Sequence, residues 1–239
     1  MNSKLLESMG LKNYIANAKY NFKYENSKDK IKDYMNSFLI EINLKPSIIY
    51  TARQIHSNKV AVAEKGEDFI YGKIIFDVDG LLTDKSKTAL LIKFADCTPV
   101  VLFDAVNKVQ VSLHSGWRGT STKISQVAIN KLVKDYGSKR ENIFAFIGPT
   151  IDSELYEVGS EVYDAFSSFK SRDDFFSRKN EEKFNLNLKA ANLSLLLEYG
   201  IPMENIEVSK DFTFSNNSFH SARRDGINYG LNAIITMIV

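Results

Sequence analysis

The chain has 239 residues and a net charge of +2, with 44% apolar and 25% charged residues. This length can bury a substantial core in one large domain or two small ones. The weak charge gives no case for binding nucleic acid or an acidic membrane surface. A single cysteine excludes an intramolecular disulfide and fits a reducing compartment. The N-terminus lacks the apolar core of a signal peptide, and no apolar run approaches the about 18 residues of a membrane span. We therefore expect a cytoplasmic protein with neither a nucleic-acid nor a membrane partner.

The first part of the sequence predicts an edge strand, a helix and a second strand. The edge strand is expected near Tyr14–Tyr24. Apolar residues at helical spacing predict a helix that starts at 27–29 and runs to about Ile42, and Pro46 ends that unit. The apolar run Ser47–Thr51 predicts a strand. His56 therefore follows closely after a strand end.

The acidic segment that begins at Asp77 resembles a calcium-binding loop only superficially. Leu81 occupies the fifth position, the glycine falls at the fourth, and Thr88 replaces the glutamate expected at the twelfth. We exclude calcium. A turn at Asp79-Gly80 is expected instead, leading into a strand over Thr88–Phe94.

A β-hairpin in the middle of the chain is the basis of the candidate site. Two apolar runs, Thr98–Phe103 and Val109–Leu113, flank a short turn at 105–108. Counting outward from the turn places position 97 opposite about position 116. Cys97 and His114 are then cross-strand or diagonal neighbours at one end of a sheet.

Arginines near this hairpin are candidates for binding an anion. Gly116 and Gly119 give flexible backbone on either side of Trp117 and Arg118. A guanidinium in such a turn can grip a phosphate. The pair Arg223-Arg224 is a second candidate, although paired arginines are more often solvated or salt-bridged.

The rest of the sequence alternates helices with short strands. Its predicted elements are a helix over Ile124–Tyr136, a strand over Ile143–Ile147, a helix over Glu161–Phe169, a polar surface segment over Lys170–Glu182, a helix over Leu186–Tyr199, a strand over Ile206–Val208, and an apolar segment over Ala233–Val239. No repeat or linker interrupts this order. We therefore predict one α+β domain over residues 1–239, with a mixed β-sheet core and flanking helices.

His56, Cys97 and His114 form a suitable three-ligand set for zinc, because catalytic zinc sites keep a fourth position open. Neither CxxC nor HExxH is present, so the hypothesis depends on the placement of these residues near strand ends. The same residues allow a second chemistry, in which Cys97 is a thiolate nucleophile, a histidine is its base, and Asp96 or another carboxylate orients that base. In a third interpretation Cys97 is simply a buried apolar residue. The residues alone leave all three open.

Eight short motifs occur in the order seen in one protein family. They are QIHSNKV at 54–60, DGLLT at 79–83, ADCTPVVLFD at 95–104, HSGWRGT at 114–120, IGPTI at 147–151, YEVGSEV at 156–162, NLKAAN at 187–192 and SARRDG at 221–226. The chain resembles the YfiH/YlmD-type multicopper polyphenol oxidase (laccase) family, which includes the mammalian laccase-domain protein FAMIN. The resemblance covers nearly the whole chain and implies a YfiH-like fold similar to the catalytic fold of cytotoxic necrotizing factor.

The resemblance implies a zinc enzyme acting on purine nucleosides. Its metal ligands would be His56, Cys97 and His114, at the motif positions that hold the family's metal. The implied reactions are phosphorolysis of adenosine, inosine, guanosine and methylthioadenosine to free base and ribose 1-phosphate, and deamination of adenosine. The expected partners are purine nucleosides and phosphate. The expected oligomeric state is a monomer or a small homo-oligomer.

The remaining site residues follow from the same implied chemistry. We expect Asp96, Cys97 and Arg118 to be catalytic, and Arg118, Arg223 and Tyr156 to bind substrate. Asp96, Tyr156 and Glu157 are the candidates for proton transfer, and the sequence does not choose between them.

Two other activities are assigned within the family: copper-dependent phenol oxidation and editing of a peptidoglycan precursor. One cysteine and three histidines cannot furnish a histidine-rich multicopper cluster, which disfavours the first. Zinc is therefore the expected cofactor. Copper can enter the same ligands adventitiously, because it binds nitrogen and sulfur donors more tightly.

The chain departs from the family pattern at three places. Ser37 stands where the family carries arginine, Phe212 replaces a cysteine, and Leu231 replaces a second arginine. Loss of arginines predicts weaker binding of phosphate or nucleoside without loss of the metal.

Overall fold

Fifteen strands and eight α-helices are found in the computed structural model, which describes residues 1–24 and 30–239. The strands are β1 Leu11–Ala16, β2 Ile48–Arg53, β3 Val60–Val62, β4 Glu67–Phe69, β5 Gly72–Phe76, β6 Gly80–Thr83, β7 Thr88–Phe94, β8 Thr98–Asp104, β9 Val109–Ser115, β10 Ile143–Ile147, β11 Glu157–Gly159, β12 Phe176–Arg178, β13 Lys183–Leu186, β14 Ile206–Val208 and β15 Asn232–Ile238. The helices are α1 Lys4–Ser8, α2 Ile31–Glu41, α3 Trp117–Ser121, α4 Ile124–Tyr136, α5 Ser160–Ala165, α6 Arg172–Phe175, α7 Leu188–Glu198 and α8 Ala222–Asp225.

Two mixed six-stranded sheets form the core. The strand order is β1-β15-β7-β2-β5-β4 in the first sheet and β14-β10-β8-β9-β6-β3 in the second. A smaller sheet, in the order β11-β13-β12, lies outside them. The predicted α+β class, with mixed sheets and flanking helices, is confirmed.

Three apolar clusters arrange the two sheets and their helices as layers. In the first cluster Ile92 of β7 packs with Val101 and Phe103 of β8, so this cluster lies between the two sheets. A second cluster joins the other face of β8 and β9 to α4 and α7. A third joins the first sheet to α2. Central strands are therefore covered on both faces, which explains their continuous apolar runs.

The predicted hairpin is confirmed in place and register. Strands β8 and β9 pair antiparallel, with Thr98 opposite Ser115 and Pro99 opposite His114. Continuing this register one step places Cys97 opposite Gly116, as the count from the turn predicts. The helix over Ile124–Tyr136 is also confirmed, and it ends where Gly137 adopts a left-handed backbone conformation (φ 67°).

Several predicted elements need correction. The edge strand is Leu11–Ala16 rather than Tyr14–Tyr24, because Tyr20 and Phe22 are buried against α2 instead of pairing in a strand. The helix predicted to start at 27–29 is α2, Ile31–Glu41, and residues 27–29 lie outside the described part of the chain. The short strand β6 follows Asp79 directly, where only a turn was expected.

The prediction of a surface segment over 170–182 is wrong, because this segment contains buried aromatic residues. Phe175 ends α6 and Phe176 begins β12, and both pack in an aromatic cluster with Phe166. The helix predicted over Glu161–Phe169 ends at Ala165. The C-terminal apolar segment is the fully buried strand β15, which lies between β1 and β7.

Within the described residues, no helix has both the length and the apolar character required to cross a bilayer.

Candidate metal centre and its cleft

His56, Cys97 and His114 come together at the end of the hairpin away from its turn. Their potential ligand atoms, imidazole nitrogens and the Cys97 Sγ, all lie within 4.8 Å of one another. The two imidazole rings meet edge-on with centroids 4.9 Å apart. His114 is buried, Cys97 is partly buried and His56 is exposed, so the cluster opens to solvent on the His56 side. Nitrogen and sulfur donors in such a cluster can hold one zinc or copper ion.

Gly116 allows the cysteine to approach the histidines. A Cβ atom at position 116 would lie 2.7 Å from the Cys97 Sγ and 3.5 Å from the Cδ2 of His56. No real side chain tolerates the first of these distances. The glycine in the HSGWRGT motif is therefore required by the packing of the cluster.

Asp79 is a candidate functional residue that the sequence patterns did not identify. Its fully buried carboxylate accepts hydrogen bonds from the backbone N–H groups of Ile55 (3.2 Å), His56 (2.9 Å) and Ser57 (2.6 Å). These bonds hold His56 in a left-handed backbone conformation (φ 62°) that costs energy for a residue other than glycine. One carboxylate thus fixes the segment that carries the first candidate ligand.

The same carboxylate orients a second candidate ligand. The Nδ1 of His114 lies 2.9 Å from the Asp79 Oδ1, which leaves the Nε2 of His114 for the cluster. A carboxylate that holds a histidine in this way fixes its tautomer and its ring orientation toward a metal. The signal in the sequence is the DGLLT motif at 79–83, but a motif and a turn at Asp79-Gly80 do not indicate that the carboxylate contacts His114.

The charges at the cluster favour a thiolate. Burial raises the pKa of Cys97, but the facing His114 and His56 more than offset burial and lower this pKa to about 6. Burial likewise lowers the pKa of His114, while Cys97 and Asp79 raise it to about 9. The thiolate is the form that binds metals and that acts as a nucleophile, so the geometry is compatible with both chemistries left open by the sequence.

Asp96 precedes Cys97 but uses its carboxylate to hold another segment of the chain. Its Oδ1 accepts a hydrogen bond from the Thr213 hydroxyl (2.6 Å), and its Oδ2 accepts from the Ser221 hydroxyl (3.0 Å) and the Arg223 backbone N–H (2.7 Å). Asp96 is itself buried and in a left-handed conformation (φ 78°). Both carboxylate oxygens are therefore occupied by the segment that carries Arg223.

A cleft of about 860 Å³ begins at the cluster. Its lining includes His56, Cys97, His114, Trp117, Arg118, Tyr156, Phe22, Lys23, Tyr24, Arg53, Gln54, Phe69, Phe76, Lys93, Ala222, Tyr229 and Leu231. This volume lies within the range of about 300–1,000 Å³ that is usual for sites binding small molecules.

Two of the predicted substrate-binding residues line this cleft and one lies at an exposed position beside it. Arg118 is exposed, with its guanidinium carbon 4.3 Å from the centroid of the Trp117 ring. Tyr156 is partly buried in the cleft wall. Arg223 is exposed, and it donates hydrogen bonds to the carbonyls of Leu155 (3.4 Å) and Glu157 (3.2 Å).

Arg224 has a structural role rather than the anion-binding role considered from the sequence. Its guanidinium donates to the carbonyl oxygens of Thr213, Phe214 and Phe219 and pairs with Asp225. With these partners the side chain is committed to holding the 213–225 segment. Of the pair considered at the sequence level, only Arg223 presents an exposed side chain.

The three departures from the family pattern differ in their relation to the cleft. Leu231 lines it, so an apolar group stands where the resemblance implies an arginine. Phe212 packs under the ammonium of Lys189, which lies 3.6 Å from its ring centroid. Ser37 is exposed on α2. Only Leu231 is thus a contact residue of this cleft.

Known proteins resemble this chain over most of its length. A family model described as multi-copper polyphenol oxidoreductase laccase matches residues 10–239. A purine nucleoside phosphorylase of Bacteroides thetaiotaomicron is 33% identical over 71% of this chain, and the match spans 62% of that protein, less than two thirds of its length. Adenosine deaminase RL5, from an unknown prokaryotic organism, is 34% identical over 74% of this chain and 70% of its own length. The purine nucleoside phosphorylase YlmD of Bacillus subtilis is 32% identical over 73% of this chain and 65% of its own.

Two solved structures share the fold. The YfiH hypothetical protein of Bacillus licheniformis superposes with a TM-score of 0.86 at 27% identity, covering 92% of this chain and 85% of that one. YlmD from Geobacillus stearothermophilus superposes with a TM-score of 0.87 at 22% identity, covering 96% and 92%. The arrangement of two mixed sheets with flanking helices is therefore common to all three chains.

Proposed function

The chain belongs to the multi-copper polyphenol oxidoreductase laccase family, and on that premise we propose that it is a zinc-dependent purine nucleoside phosphorylase that also deaminates adenosine. Its substrates would be adenosine, inosine, guanosine and methylthioadenosine, with phosphate as the second reactant. The observation that carries this proposal is the His56–Cys97–His114 cluster in the lining of a cleft sized for a small molecule. The printed names of the relatives, purine nucleoside phosphorylase and adenosine deaminase, support the substrate class.

The donor set supports a single ion better than a multicopper centre. The sequence has three histidines, and the third, His220, bonds through its Nε2 to the Tyr20 carbonyl (3.0 Å). That leaves two histidines and one cysteine, the mixed set that suits zinc. A zinc ion in this position would supply a Lewis acid and could activate a water molecule. Copper taken up by the same ligands would be adventitious, and phenol oxidation would then say little about function.

The residues around the cluster have separate tasks in phosphorolysis. A phosphate oxygen forms a bond to the anomeric carbon of the ribose while the bond to the purine nitrogen breaks. The protein must hold the phosphate in line and protonate the departing purine. Arg118 is suited to the first task, because its guanidinium is exposed in the cleft and no carboxylate pairs with it among residues 1–24 and 30–239.

Tyr156 is the best candidate for the group that stabilises the departing purine. Asp96 is occupied by three hydrogen bonds, and Glu157 pairs with Lys179 at 2.5 Å. Tyr156 lines the cleft, and burial raises the pKa of its hydroxyl, so the side chain stays protonated at working pH. A neutral hydroxyl in the cleft can donate a hydrogen bond to the purine and so stabilise the charge that develops as the bond to the ribose breaks.

Replacing Tyr156 with phenylalanine should lower kcat by about 100-fold, the usual effect of removing one hydrogen-bond donor to a charge that develops in the transition state. The ring remains, so zinc content and the unfolding midpoint should stay at their wild-type values. Tyr163→Phe is the matched control, because the Tyr163 hydroxyl bonds Asp173 outside the cleft. Steady-state kinetics with inosine checks this, and an unchanged kcat in Tyr156→Phe would remove Tyr156 from the reaction.

Replacing Arg118 with lysine should raise the KM for phosphate by about 10-fold, because lysine keeps the charge but loses the bidentate fork. The zinc content should not change, since Arg118 is not one of the candidate ligands. Arg172→Lys offers a control, because Arg172 stacks on Tyr163 at the surface. If the KM for phosphate of Arg118→Lys equals that of the wild type, Arg118 has only a structural role.

Turnover by the wild-type protein tests the proposed function. Protein purified without added copper should contain zinc and convert adenosine to adenine, inosine or hypoxanthine. Release of ribose 1-phosphate should require phosphate, whereas deamination should not. Zinc-loaded protein that leaves adenosine, inosine and methylthioadenosine untouched at high enzyme concentration would refute the proposal. A binding or peptidoglycan-editing function would then be favoured. The cytoplasmic location and the oligomeric state remain predictions.

A further inference from the structure

A side chain continues the pairing of two strands beside the candidate metal centre. Strands β2 and β7 pair in parallel, and their last pair in register is Thr51 with Leu91. Beyond it the Oε1 of Gln54 accepts a hydrogen bond from the Lys93 N–H (3.0 Å), and the Nε2 of Gln54 donates to the Lys93 carbonyl (2.7 Å). The Gln54 carboxamide thus occupies both backbone groups of Lys93, as a neighbouring strand would.

These two hydrogen bonds join the segments that carry two of the candidate ligands. His56 follows Gln54 by two residues, and Cys97 follows Lys93 by four. Asp79 already ties the His56 segment to His114. Gln54 and Asp79 together therefore connect all three candidate ligands through side chains that are not themselves ligands.

The end of β7 is also held from its other side. The Nδ2 of Asn232 donates to the Phe94 carbonyl (3.1 Å), and the Oδ1 of Asn232 accepts from the His220 N–H (2.9 Å). The short path from Phe94 to Cys97 thus begins at a point fixed by carboxamides on both flanks. On the other flank of the cluster, the His56 side chain is exposed, so its position depends on how its backbone is held.

We propose that Gln54 is a positioning residue that sets the spacing between His56 and Cys97 and thereby the affinity of the metal centre. A ligand set held at its binding spacing avoids the entropy of ordering a loose loop when the ion binds. Losing a residue that orients metal ligands typically weakens metal binding by about 10- to 100-fold. The inference rests on the metal centre of the proposed function but not on its nucleoside substrate.

The test compares zinc affinity in matched glutamine variants of the full chain. Gln54→Leu removes both hydrogen bonds to Lys93. Gln54→Glu keeps the acceptor for the Lys93 N–H but loses the donor to the Lys93 carbonyl. Gln110→Leu is the control, because the Nε2 of Gln110 donates to the Thr88 carbonyl (2.9 Å) at the opposite end of the same strand. Zinc affinity is measured by competition with a chromophoric chelator, and stability by urea unfolding of the metal-free protein.

We expect Gln54→Leu to bind zinc about 10- to 100-fold more weakly than the wild type, and Gln54→Glu to be weakened less. Gln110→Leu should lose stability while keeping the wild-type zinc affinity. Unchanged affinity in the folded Gln54 variants would overturn the proposal, as would equal weakening in Gln110→Leu, which would indicate general destabilisation. A wild type that binds no zinc would overturn the proposal as well.

If Gln54→Leu does not fold, the zinc affinity of Gln54→Glu tests the proposal by the same criteria. If the Gln54 variants bind zinc more weakly but the wild type turns over no nucleoside, the positioning role of Gln54 is supported and only the proposed activity is refuted.

Discussion

Replacing Cys97 with alanine should abolish zinc binding while leaving the fold intact. The thiolate is the anionic donor of the cluster, and the two imidazoles alone leave the ion with half of a tetrahedral set. The hairpin keeps its pairing because Cys97 precedes β8 and takes no part in the register from Thr98 to Asp104. Elemental analysis after dialysis should find one zinc per wild-type chain and none in Cys97→Ala.

His56→Ala and His114→Ala should lose zinc in the same way. His220→Ala is the matched control, because His220 bonds the Tyr20 carbonyl outside the cluster and its removal should leave the zinc content unchanged. Circular dichroism should show wild-type secondary structure in the ligand variants. One zinc retained in all three of them would place the metal elsewhere in the protein.

Replacing Asp79 with asparagine should destabilise the protein by about 3–5 kcal/mol, the usual cost of removing one partner from a buried charged pair. Its carboxylate accepts hydrogen bonds from three successive backbone N–H groups and meets the Nδ1 of His114. An asparagine amide presents a donor where only an acceptor fits. Asp84→Asn is the control: Asp84 pairs with Lys85 at the surface, where ion pairs contribute about 0–1 kcal/mol.

The contribution of Asp79 to the free energy of unfolding should fall as the pH is lowered. Burial raises the pKa of this carboxyl, but hydrogen bonds from His114 and Ser57 more than offset burial and lower the pKa from 3.8 to about 2. Since the folded pKa is the lower one, the stabilisation is present above about pH 4 and is lost as the pH falls toward 2, with a magnitude of about 2 kcal/mol. Urea unfolding should therefore show the difference between wild type and Asp79→Asn narrowing in acid. A difference that stays constant from neutral pH to about pH 3 would contradict the ionised state of Asp79.

Local patterns predicted the part of the fold that carries the ligands. Strands β8 and β9 are apolar and β-branched because both of their faces are covered, and the short turn between them fixes the register that brings Cys97 opposite Gly116. Helix α4 was equally predictable, since its apolar face has helical spacing and Gly137 marks its end. In both elements the contacts that decide the structure are close in sequence.

Features that depend on distant contacts were missed. Asp79 becomes a candidate site residue only when His56 and His114, far from it in sequence, reach the same carboxylate. The proposed positioning role of Gln54 likewise depends on its hydrogen bonds to the backbone of Lys93. The polar run 170–182 gave no sign that Phe175 and Phe176 would be buried, because the aromatic partners that cover them lie in other segments. Local sequence periodicity cannot predict contacts between residues that are far apart in the chain.

An anomalous-scattering map of crystals grown with zinc and soaked with inosine would locate both the metal and the nucleoside. We expect one peak at the zinc edge, bounded by a His56 imidazole nitrogen, the Cys97 Sγ and the His114 Nε2. The nucleoside should lie in the adjoining cleft, against Arg118 and Tyr156. An absent peak at the cluster, or a nucleoside bound outside the cleft, would contradict a zinc enzyme acting on purine nucleosides at this site.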